Sequence, residues 1–243
     1  MRKHTLSINN LYYNNKRQRH NNSLFHTQDR ISNTEETQIT YTSQPQMNNP
    51  STHTFTNSLW DSTSSSTGGG AIYVSGTSSL TLSDCLFISC KSSSQSSSDT
   101  FGGGALYFTS SGTLSVSSAL FLSCSAVGER GGAIHIHASG DVSLIAVTVA
   151  DCHCSVWGGG ILVEAGPSFS VSDSILILCS TRIGGACGFY GRKSEFSVFN
   201  CLFSQNSATD SSPGGGAIQD HMFEPTYKCK YYFSFFTQNS AQI

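Results

Sequence analysis

From about Ser51 onward the apolar positions fall in short alternating runs, not in helical stripes. Leu80-x-Leu82, Leu114-x-Val116, Val142-x-Leu144, Phe169-x-Val171 and Phe196-x-Val198 each alternate apolar with polar, the period of a half-buried strand. Eight residues after the second apolar member of each run comes a marker: Cys90, Cys124, Cys152, Cys179 and Asn206 in turn. Three residues before the marker stands a large apolar side chain, namely Phe87, Phe121, Val149, Leu176 and Phe203, and Phe236 precedes Asn239 in a last, degenerate copy. His53-Thr54-Phe55, Trp60 and Thr63 fit the same frame, so the array is expected to span residues 51–243.

A glycine cluster opens each unit after the first. Counted from its last glycine (Gly70, Gly104, Gly132, Gly160, Gly185 and Gly216), the intervals are 34, 28, 28, 25 and 31 residues. A loose period of this size is the mark of stacked units, each burying its apolar row only against its neighbours. Short strands rich in β-branched and aromatic residues, separated by glycine and serine turns, exclude a helical array. The expected fold is all-β: a single-stranded parallel β-helix of the pectate-lyase type, about six coils with three short strands each. The length variation collects between marker and glycines, for example Lys91 to Phe101 and Ser207 to Pro213, and such serine-rich loops read first as solvated spacers.

The pairing of Gly-Gly-Ala-Ile with a later Phe-x-x-Asn resembles the repeat of the polymorphic outer membrane proteins. Phe203-Ser204-Gln205-Asn206 and Phe236-Thr237-Gln238-Asn239 match the second motif in full, whereas Cys90, Cys124, Cys152 and Cys179 replace its asparagine. The resemblance implies a right-handed β-helix at a cell surface or outside the cell, serving as a non-enzymatic adhesin-like interaction module with a protein or glycan partner. Related repeats also occur in carbohydrate-active enzymes and large protist surface proteins, so a carbohydrate-active or carbohydrate-binding β-helix is the second reading and an intracellular structural repeat the third.

Composition narrows the partners. With 12% charged residues and a net charge of −2 over 243 residues, the chain has no electrostatic footprint for nucleic acid. Residues 1–50 differ: rich in Asn, Gln and Thr, without periodicity and carrying Lys16-Arg17-Gln18-Arg19-His20, they read as a low-complexity, disordered segment. No secretory signal core and no membrane span are legible. The array reads as uncapped at its carboxyl end, which is expected either to continue into further coils or to associate end to end.

Candidate chemistry is sparse. Asp84 and Asp173 share a column with Ser118 and Ala146 between them, Asp151 shares one with Ser89, Ser123, Leu178 and Gln205, and Glu164 and Asp220 fall in that of Val74, Phe108, Ile136 and Phe189. No acid pair forms for glycoside cleavage, no phosphate loop follows the glycines, and neither a metal nor an organic cofactor is implied. His135 and His137 share a strand face, and Cys152-His153-Cys154 lacks the spacing of a zinc site. Of nine cysteines, Cys90, Cys124, Cys152 and Cys179 stack in one column, where Cα spacing permits disulfides and burial as small hydrophobes is the simpler expectation. Two outward columns are the candidate interaction surface: Leu86, Leu120, Ile175, Leu202 and Phe235, largely apolar, and Tyr73, Tyr107 and His135, suited to stacking on sugars or peptides.

Overall fold

The computed structural model describes residues 39–48, 50–93, 102–127, 130–164, 168–191, 195–209, 215–222 and 228–241. The amino-terminal basic tract lies outside them. The described residues contain strands and turns and no helix, and the strands form four sheets of eight, seven, seven and seven members in which every paired strand is parallel. Sheet I follows the glycines (Ile72–Gly76 and its equivalents), sheet II carries the alternating runs (Ser79–Ser83), sheet III the large apolar residue (Leu86–Ile88), and sheet IV two-residue strands such as Lys91–Ser92. The chain visits the four in rotation, so like positions of successive coils are hydrogen-bonded neighbours, the architecture of a parallel β-helix solenoid.

Two differences from the sequence expectation concern extent. Sheet IV adds a fourth strand to the three foreseen per coil, because two-residue strands carry no alternation to read. Ladder pairing also starts upstream of Ser51, with Ile39–Tyr41 against Ser58–Trp60 and Gln46–Met47 against Tyr73–Val74.

Each coil turns its corners with left-handed residues. Between sheets II and III these are Asn57, Asp84, Ser118, Ala146, Asp173, Asn200 and Phe233; between III and IV they are Ser62, Ser89, Ser123, Asp151, Leu178, Gln205 and Gln238, with φ from 48° to 60°. Asp and Asn tolerate this region better than other L-residues do. The solitary acids Asp84, Asp151 and Asp173 are thus accounted for as turn formers.

The glycines meet two separate demands. Gly69, Gly103, Gly131, Gly158 and Gly184 have positive φ. The glycine that follows each lies so close to the next coil that an added Cβ would run into a carbonyl oxygen: Gly104 for Gly70, Gly132 for Gly104, Gly159 for Gly132, Gly185 for Gly159 and Gly216 for Gly185. In the fourth cluster the member of this column is Gly159, not Gly160. Gly160 stands where other coils have alanine, since both Ala133 N–H and Ile134 N–H donate to its carbonyl. The intervals flanking it are therefore 27 (159 − 132) and 26 (185 − 159) residues, in place of 28 and 25.

Inside the coils the residue three places before the marker forms an axial stack. Tyr41, Trp60, Phe87 and Phe121 follow one another at centroid distances of 4.6, 4.7 and 4.5 Å with nearly parallel rings. Val149 and Leu176 continue the column, and Phe203 and Phe236 stack at 4.9 Å. Leu80, Leu82, Leu114 and Val116 from sheet II and Ile72, Val74, Leu106 and Phe108 from sheet I fill the rest of the core.

Candidate functional site

The parity of sheet I places Ile72 and Val74, or Leu106 and Phe108, inside and their alternate neighbours outside. On that outer face Tyr73, Tyr107 and His135 are in register, and their rings stack at 5.4 and 5.0 Å. They do not form an open platform. Tyr107 is 3% exposed and His135 0%, because each ring lies down on a glycine of the turn beside it: Tyr107 Cδ1 occupies the space above Gly68, and His135 Nδ1 that above Gly102. Tyr73 is only half-buried.

The shift at Gly160 carries Glu164 to this same face. It pairs in register with His137 and Tyr190, while Val163 takes the inward column of Ile136 and Phe189 that the sequence frame assigned to Glu164. Asp220 does pair with Phe189. Glu164 Oε2 accepts a hydrogen bond from His135 Nε2 at 3.0 Å, and its other oxygen accepts from the guanidinium of Arg130, whose backbone bridges Gly102 and Trp157. Burial alone would raise the Glu164 carboxyl, but the bond from His135 and the positive charge of Arg130 hold it below its usual range. Burial lowers His135 despite that bond, which makes the imidazole neutral and the proton on Nε2 the donor. Its Nδ1 lone pair is buried without a hydrogen-bond partner. The trio is an anchored carboxylate–imidazole pair, with Tyr107 stacked on one face of the ring and both carboxylate oxygens engaged.

Sheet III presents the apolar column. Leu86, Leu120, Thr148, Ile175, Leu202 and Phe235 are in register and face away from Phe87 and Phe121. Its exposure is uneven: Leu120 and Thr148 are buried at mid-column, Leu86, Ile175 and Leu202 are half-buried, and Phe235 is 67% exposed. Near Phe235, Phe233, Tyr231 and Tyr232 are also exposed, and Phe236 is 47% exposed although it faces the axis.

The marker residues explain how cysteine substitutes for asparagine. Asn206 Nδ2 donates to Leu176 O and Asn239 Nδ2 to Phe203 O, both at 3.0 Å, tying each coil to the one before. The thiols of Cys90, Cys124, Cys152 and Cys179 donate to the corresponding carbonyls of Trp60, Phe87, Phe121 and Val149, at 3.5 to 3.8 Å. All four are buried and unbridged. Asparagine adds a second bond that sulfur makes only weakly: Asn206 Oδ1 accepts from Cys179 N–H. The remaining described thiols are buried as well, and burial pushes those of Cys85 and Cys201 up to about 11. No group of three or more His, Cys, Asp or Glu side chains among the described residues is arranged around a metal, and no helix among them is long and apolar enough to cross a membrane.

No curated protein and no solved structure matches the chain. Residues 200–219, which hold Phe203 to Asn206 and Gly215-Gly216-Ala217-Ile218, match the repeat of the Chlamydia polymorphic membrane proteins, so this stretch is a polymorphic membrane protein-like repeat set in a parallel β-helix.

Proposed function

We propose that the protein is a non-enzymatic, adhesin-like interaction module displayed at a cell surface, with the β-helix as scaffold and a low-complexity segment on its amino-terminal side. The observation that carries this reading is the repeat match at residues 200–219, whose glycine motif recurs in the other coils and whose Phe-x-x-Asn motif recurs at Phe236 to Asn239, with cysteine for asparagine at positions 90, 124, 152 and 179. The partner is a surface protein or glycan. Its contact face is the sheet III column at Leu86, Ile175, Leu202 and Phe235, where apolar side chains point outward and keep some exposure. Both oxygens of Glu164 are engaged by Arg130 and His135, which supports reading this carboxylate as a structural anchor of the outer face.

Binding of the purified chain to intact cells and to a glycan panel tests the proposal. We expect saturable binding that is lost in a Leu86→Glu/Leu202→Glu variant and no change in the glycans themselves. The carbohydrate-active alternative draws on the oriented His135–Glu164 pair, and depolymerisation of any polysaccharide, abolished by Glu164→Gln, would replace the first reading with the second.

A further inference from the structure

We infer that Cys90, Cys124, Cys152 and Cys179 form an axial column of sulfurs that binds a soft, divalent, linearly coordinated cation between successive coils. Each sulfur is held by the same two carbonyls, one in the preceding coil and one two residues back: Trp60 and Ile88 for Cys90, Phe87 and Leu122 for Cys124, Phe121 and Ala150 for Cys152, Val149 and Ile177 for Cys179. Backbone bonds from Ser125, His153, Ser180 and Ser207 to the carbonyls of Cys90, Cys124, Cys152 and Cys179 set these residues directly above one another. Side chains in one orientation on parallel, in-register backbones repeat at the strand spacing of about 4.8 Å.

That spacing selects the chemistry. A disulfide requires sulfurs about 2.05 Å apart and Cβ atoms that converge, whereas these point the same way. Two metal–thiolate bonds of about 2.3 Å in a line span about 4.6 Å. Among the described residues no third His, Cys, Asp or Glu side chain joins a pair of these sulfurs, and the Thr63 hydroxyl beside Cys90 is a hard, neutral oxygen, so the column suits a soft ion content with two thiolates and not one that demands a tetrahedron. In binding, two S–H bonds break, two metal–sulfur bonds form and two protons leave to solvent. A divalent ion with two thiolates is neutral, and the apolar interior favours a neutral unit over a charged one.

Four sulfurs make two disjoint pairs, Cys90 with Cys124 and Cys152 with Cys179. Among the cysteines whose side chains are described, no other has a thiol beside it in register: Cys85 lies between Ser58 and Ala119, Cys154 between Ala126 and Thr181, Cys187 between Ile161 and Ile218, and Cys201 between Ser174 and Ser234. This inference is independent of the surface reading.

The test is native mass spectrometry of the folded, reduced full chain equilibrated with mercury(II) chloride, with zinc chloride in parallel. A bridging ion is recognised by the loss of two protons and the absence of chloride, whereas an isolated thiol retains a chloride on its mercury. We expect two chloride-free mercury ions in the natural chain, one in Cys124→Asn and none in Cys124→Asn/Cys152→Asn, with no zinc retained in the column. Asparagine occupies this column at positions 206 and 239, and Cys124→Ser serves as a second, smaller replacement. The inference is overturned by failure of the natural chain to take up a bridging ion at equilibrium, by equal uptake in the double variant, or by isolation of the column as disulfides.

Discussion

At the scale of single residues, the two left-handed corners of each coil impose a composition that the sequence meets unevenly. Asp84, Asp151, Asp173 and Asn200 suit φ near 50°, but Leu178 holds φ 59° with a γ-branched apolar side chain. Left-handed backbone costs an ordinary L-residue about 1–2 kcal/mol, and Asn escapes much of it through local hydrogen bonds. Leu178→Asn is therefore expected to stabilise the fold by about 1 kcal/mol, read as an increase in the denaturant midpoint at unchanged slope. The column supports the change, because Asp151 and Gln205 flank Leu178 and a carboxamide there has polar neighbours above and below. An unchanged or lowered midpoint would show that Leu178 contributes more by packing than its backbone costs. Cys152→Asn is expected to gain about 1 kcal/mol, because the amide oxygen can take the Cys124 N–H in the way that Asn206 takes that of Cys179. Thermal unfolding of the single variant measures it.

At the scale of elements, the strand Ile161–Glu164 shows where the sequence was legible and where it was not. The constant eight-residue interval from alternating run to marker fixed the registers of sheets II and III, and Phe87, Phe121 and Phe203 stand in the core as that interval implies. The glycine clusters vary in length, and in the fourth a glycine in the alanine position displaced the count by one. In a strand one position reverses the face, so a count from Gly160 puts Glu164 in the apolar interior, whereas the strand itself carries it to the outer face beside His135 and Arg130. Gly158-Gly159-Gly160-Ile161, with no alanine between glycine and isoleucine, was the available signal. The cluster has a pH signature. His135 titrates below its ordinary value in the folded chain, so the unfolded chain binds the proton more readily, and stability present above about pH 6.5 declines as the pH falls. Glu164 is also lowered, which adds a second decline below about pH 4.3 as its carboxylate is protonated. Urea unfolding between pH 8 and 4 is expected to show the first decline at a limiting slope of about 1.4 kcal/mol per pH unit, and His135→Phe, which keeps the ring on Tyr107, is expected to remove it. An identical profile in His135→Phe would assign the decline to other groups.

At the scale of the whole molecule, a solenoid has no central core to absorb a local error: each coil is held by the two beside it, and stability is close to a sum of coils and their interfaces. Neighbouring glycines can therefore differ sharply in consequence. A methyl group at Gly159 would meet the carbonyl oxygen of Gly185 and, at 2.6 and 2.7 Å, the backbone of Ser180. The coils on either side would have to part along sheets I and IV, breaking the bonds of Gly158 N–H to Ile183 O and of Ser180 N–H to Cys152 O. At Gly160 the added methyl meets Ala186 O at 2.9 Å and the side chains of Cys179 and Val149 at 3.1 Å, in a column where Ala71, Ala105, Ala133, Ala186 and Ala217 are already accommodated. Gly159→Ala is expected to cost about 3 kcal/mol, and because it separates the array into two groups of coils, to broaden or split the unfolding transition. Gly160→Ala is expected to fall within about 1 kcal/mol of the natural chain, since the loss of unfolded-state entropy offsets the tighter fit. Calorimetry of the two variants side by side decides the matter. If Gly160→Ala were the more damaging, the frame that places Glu164 on the outer face would be wrong by one residue, and the Arg130–Glu164–His135 cluster would have to be abandoned with it.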